Sequence, residues 1–71
     1  MAQFRIFLIG CSAPQVVALP AASINQVSLL VAGGRFLTGE LVDVVDEDGA
    51  LTNRPALIPV SRIHMIVEDH Q

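Results

Sequence analysis

Seventy-one residues carry 4 arginines against 7 acids, a formal net charge of -3, with 52% apolar residues, 15% charged residues and one cysteine. A domain of that length buries only about 60% of the surface its unfolded chain exposes, and the lone Cys11 excludes an intrachain disulfide that would supplement so small a core. No Cys/His spacing suits a structural zinc, and no apolar run approaches the ~18 residues of a membrane-crossing helix, because Gly10, Pro14, Pro20, Gly33 and Gly34 interrupt the candidates.

One domain over residues 1–71 is expected, without repeat, linker or low-complexity tract. Residues 4–9 are β-branched and aromatic enough for a strand, residues 10–14 form a turn, and Gln15–Leu19 returns as its hairpin partner. Ser23 followed by Gln26 has the form of a capping box, and Ile24, Val27, Leu30 and Val31 recur at helical spacing before Gly33, placed for a left-handed C-terminal residue. That spacing predicts a helix over Ile24–Ala32. The same segment also alternates as Val27, Leu29 and Val31, which leaves a strand with a Gly33-Gly34 hairpin as the competing reading. Phe36–Val45 is strand-forming, and Asp46-Glu47-Asp48-Gly49 carries an Asp-Gly turn signal. A long polar loop is expected over residues 46–55, then a return strand from Ala56 to Ile58. Pro59 has no N–H to donate, so a bend is placed at residues 59–62 and a last strand over 63–67. The fold class is therefore α+β and β-rich, a strongly bent antiparallel sheet with one short helix in the order ββαβββ.

Composition adds an expectation about partners. Counting glycine, about 59% of the chain is apolar where ordinary domains run at about 45–50%, more than a monomer of this size easily hides. Retained arginine with no lysine matches the bias of protein interfaces. Homo-oligomerisation and a cytoplasmic location are expected, with no membrane association and no signal peptide, since residues 4–9 are followed at once by Gly10. A monomeric regulatory subunit that binds a larger protein is an alternative.

No residue pattern points to an enzyme, a cofactor or a metal. Asp43, Asp46, Glu47 and Asp48 cluster as calcium ligands do, but Val44 breaks the calcium-loop pattern and the Asp-Gly turn accounts for the acids. Cys11 has no His at a spacing that implies a nucleophile pair, and a free cysteine is expected to behave as a small buried hydrophobe. His64 is expected on the face opposite Ile63 and Met65, as a surface or interface residue, and His70 in the tail. Gly33-Gly34-Arg35 lacks both phosphate-loop fingerprints. For Arg35 and Arg62, pairing with Glu40 or Glu68 is the plain expectation.

The stretch Val27-Ser28-Leu29-Leu30-Val31-Ala32-Gly33-Gly34-Arg35-Phe36-Leu37-Thr38-Gly39-Glu40-Leu41 resembles the first half of an Sm-like protein, where alternating hydrophobics lead to Gly-x-Leu. Ile58-Pro59-Val60-Ser61-Arg62-Ile63-His64-Met65-Ile66 resembles the second half, a short strand, a tight turn and a final strand. The resemblance spans roughly residues 27–67. It implies an alternative fold class, an all-β Sm-like or SH3-like barrel that forms rings through its edge strands. The family's RNA-contacting residues are not matched here. An Sm-like ring that binds RNA or DNA is thus an alternative function, with Arg35, Arg54 and Arg62 as its nucleic-acid-binding residues, while the negative net charge opposes bulk attraction to phosphates.

Overall fold

The alternating hydrophobics and turn signals resolve, in a computed structural model that describes residues 2–69, into five strands and one helix. In chain order these are β1 (Ala2–Leu8), β2 (Gln15–Leu19), α1 (Ile24–Ala32), β3 (Phe36–Val45), β4 (Leu51–Pro59) and β5 (Ile63–Glu68), with a 3₁₀ turn, Val60–Arg62, between the last two strands. Every pairing is antiparallel and the strands lie in the order β4-β3-β2-β1-β5. The α+β, β-rich class and the ββαβββ order are therefore those expected, and the middle segment is a helix. No helix among the described residues is long and apolar enough to cross a membrane.

Side chains alternate across a strand, so one face collects the core. Phe4, Ile6, Val17, Leu19, Leu37 and Ile58 share the inner face, and α1 covers it with Val27, the one helix residue that is fully buried. Register ties these together, since Phe4 stands opposite Val17 and Leu37 opposite Ile58. Gly39 is required at this seam. A Cβ there would lie 2.7 Å from the Ala18 carbonyl oxygen and 2.7 Å from Leu19 Cδ2, so only glycine lets β3 approach β2 so closely.

The helix ends are built differently from the sequence expectation. Ser23 makes no side-chain cap bond. Gln26 reaches back one residue further, its Oε1 accepting the Ala22 N–H at 2.6 Å, while Glu68, arriving from β5, accepts the Ile24 N–H. A carboxylate at the helix N-terminus also opposes the positive end of the helix dipole. Gly33 has φ −105° and is not left-handed, so α1 ends without the expected C-terminal motif.

The loop expected over residues 46–55 is shorter. Asp46 donates its N–H to the Ala50 carbonyl and accepts the Gly49 N–H, and β4 has begun by Leu51. Asp46 Oδ1 organises the turn by accepting the Asp48 and Ala50 N–H groups at 2.9 and 3.0 Å, and Gly49 supplies the left-handed residue at φ 81°. Residues 51–55 escaped the sequence reading because this part of β4 is wet and carries no apolar alternation. Pro55 sits inside the strand, which an edge position permits. A bulge between Leu41 and Val44 places Asp43 at φ 59°, its N–H directed at Asn53 Oδ1.

Candidate functional site

The arginines expected to act together are divided by the sheet. Arg35 enters β3, its carbonyl accepting the Val60 N–H at 2.9 Å, and Arg62 ends the 3₁₀ turn, its carbonyl accepting the Ile9 N–H at 2.8 Å. Both thus border the same turn, beside an open groove lined by Gly34, Arg35, Phe36, Pro59, Val60 and Ser61. Arg54 pairs with Leu41, five ladder positions from the Phe36–Pro59 pair, or roughly 17 Å along the strands. Arg5, which the sequence did not single out, makes an ion pair with Asp69 across 3.2 Å.

Cys11 is exposed rather than buried. It closes the β1–β2 turn, where its N–H donates to the Leu8 carbonyl and Gly10 takes φ 86°, a geometry that leaves the side chain outside the sheet. His64 is exposed as expected, but Ile63 and Met65 do not share a face. Ile63 stands opposite Leu8 and packs on the core, Met65 stands opposite Phe7 and is exposed, and His64 is the extra residue of the bulge that shifts the phase between them. His70 lies outside the described residues. Among the described residues no three His, Cys, Asp or Glu side chains are grouped to hold a metal ion.

What the fold does assemble is an outer face with two exposed apolar patches, Phe36 with Leu57 and Met65 with Val67, set apart by β2 and by β1, whose Arg5 stands opposite both Val16 and Val67. Phe7, Val16, Phe36, Leu57, Met65 and Val67 point away from α1 by the same alternation that buries Phe4 and Leu37. Several of them are open to solvent, Phe36 at 51%, Leu57 at 61%, Met65 at 47% and Val67 at 40%. The sequence did not reveal this face because Leu57 and Val67 resemble core residues until register assigns them to a side.

The two edges of the sheet differ in what they offer a partner. In an antiparallel ladder a residue turns its N–H and C=O to the same side, and successive residues alternate. The Val60 N–H meets Arg35 on β3, so positions 54, 56 and 58 also face β3, and positions 55, 57 and 59 face outward. Two of those three are Pro55 and Pro59, leaving Leu57 as the sole donor along that stretch. On β5 the Asp69 N–H donates to the Gln3 carbonyl, so Met65 and Val67 face β1 while Ile66 turns both its N–H and its C=O outward. One edge is blunted by proline and the other is not.

No protein-family profile, curated protein or solved structure matches this chain. The functional reading therefore rests on the outer face and the two edges.

Proposed function

We propose that the chain is a non-enzymatic interaction protein that works as a homo-oligomer, an apolar patch of its outer face and an open strand edge forming the contact. The observation that carries this reading is the balance of large apolar side chains: among the described residues ten are exposed against seven that are buried. Scattered apolar residues are ordinary on a surface, but here Met65 and Val67 lie on one face of an unpaired edge strand, where apolar contact and main-chain hydrogen bonds reinforce each other. Self-association also supplies the burial that so short a chain lacks. Size exclusion with light scattering over a dilution series tests this: a mass above the 7.6 kDa chain at micromolar concentration is expected, and a 7.6 kDa species throughout overturns it.

One observation favours a second reading, the binding of single-stranded nucleic acid. Exposed Arg35 and exposed Phe36 both line the groove above the 3₁₀ turn, where a cation would meet a phosphate and an open ring a stacked base. A labelled oligonucleotide that binds at low salt and is released as salt rises supports it; no binding at low salt retires it.

A further inference from the structure

Homo-oligomerisation leaves open which edge is used and with what symmetry. A partner strand on β4 meets Pro55 and Pro59 where it needs N–H donors, and each proline ring also projects into the space the partner backbone would occupy. A partner strand on β5 meets the full N–H and C=O of Ile66. The favoured contact is therefore at β5.

The sequence of β5 is complementary to its own reverse. When a second copy runs antiparallel with the two-fold axis at Ile66, Ile66 stands opposite Ile66 of the second copy and the pair exchanges both N–H···O bonds, as outward-facing residues must. Met65 then stands opposite Val67 of the second copy, and Val67 opposite Met65, so the two exposed apolar residues of the strand cover each other on the outer face. The same register sets exposed His64 opposite Glu68 of the second copy, a donor against an acceptor. Glu68 keeps its bond to the Ile24 N–H, because a carboxylate offers about four lone-pair sites. The two Glu68 side chains stay four residues apart along the seam, about 13 Å, which keeps like charges separated. A shift of two residues in either direction would lose the Met65–Val67 pairing on both sides.

We infer that two copies of this chain join through their β5 edges about a two-fold axis at Ile66, giving one continuous ten-stranded sheet whose outer face carries Met65 and Val67 at its centre. The contact is isologous, so it closes at a dimer and does not propagate. This inference rests on the homo-oligomer reading and adds the edge, the register and the stoichiometry.

The test compares four 71-residue chains by sedimentation equilibrium, with far-UV circular dichroism to confirm that each is folded. Wild type is expected at twice the 7.6 kDa chain mass. Met65→Lys combined with Val67→Lys places four cations at the seam and is expected to raise the dimer dissociation constant at least 100-fold. Both positions are exposed, so folding is spared. A synthetic chain N-methylated at the Ile66 amide replaces the outward donor with a methyl group and is expected to weaken the dimer at least 10-fold. Leu57→Lys, on the β4 side, is expected to leave it unchanged. A wild type that assembles equally well with the β5 changes, one that loses assembly through Leu57→Lys, or one larger than a dimer overturns the β5 two-fold while leaving self-association standing. A wild-type monomer at every concentration overturns the reading beneath it.

Discussion

The first half of the chain and the β3–β4 hairpin are built on opposite terms. β1, β2, the segment after β2 and α1 supply Phe4, Ile6, Val17, Leu19, Ala21 and Val27 to the core, all essentially closed to water, whereas β3 and β4 supply Leu37 and Ile58, both near the 3₁₀ turn. Beyond Leu41 no third strand pairs with the hairpin among the described residues: β2 pairs with β3 at Val17–Leu41 and Ala18–Glu40, and the ladder then continues between β3 and β4 alone through Val44–Thr52 and Val45–Leu51. Val45 and Leu51 are exposed there. A two-stranded ribbon is marginal alone in water, so this arm is held by its turn and by its continuity with the sheet, and the base is held by packing. A surface that is cheap to expose and a core that is costly to disturb thus occupy different parts of one small chain.

Mutations should separate the two. Phe4→Ala empties the most deeply buried aromatic site and is expected to cost about 3–5 kcal/mol, a large share of the roughly 4–11 kcal/mol that a chain of this length commands. Urea unfolding at fixed chain concentration reads this as a fall in midpoint, and a shift under 1 kcal/mol would mean that the base is not the packed half. Gly39→Ala, where a methyl meets the Ala18 carbonyl and the Leu19 side chain, should cost about 1–3 kcal/mol. In the arm, Asp46→Ala removes the acceptor for two turn N–H groups and should cost only about 1 kcal/mol. Smallest is Asp43→Gly, which relieves a left-handed non-glycine residue at the bulge and should stabilise by up to about 1 kcal/mol. An arm substitution that costs as much as Phe4→Ala would erase the distinction.

The base was the more legible half, for a physical reason. Burial on one face imposes alternation, and alternation is visible in Phe4 and Ile6 or in Val17 and Leu19; helical spacing likewise set Ile24–Ala32. The arm is wet on both faces, so Thr52-Asn53-Arg54-Pro55 carries no such signal and reads as loop although it is strand. The helix caps were legible in position but not in partner, since Glu68 comes from 44 residues away to bind Ile24. The edges were not legible at all. Whether Pro55 and Pro59 blunt an edge or interrupt a ladder depends on which way their nitrogens face, and only the register with β3 decides that.

The two edges differ at single amides, and amide hydrogen exchange reads that difference residue by residue. The Ile66 N–H and the Leu57 N–H both turn out of the sheet, one on β5 and one on β4. If a second copy covers β5, protection at Ile66 rises with chain concentration while Leu57 exchanges fast throughout. Fast exchange at Ile66 at every concentration, or protection that grows at Leu57 instead, would contradict it.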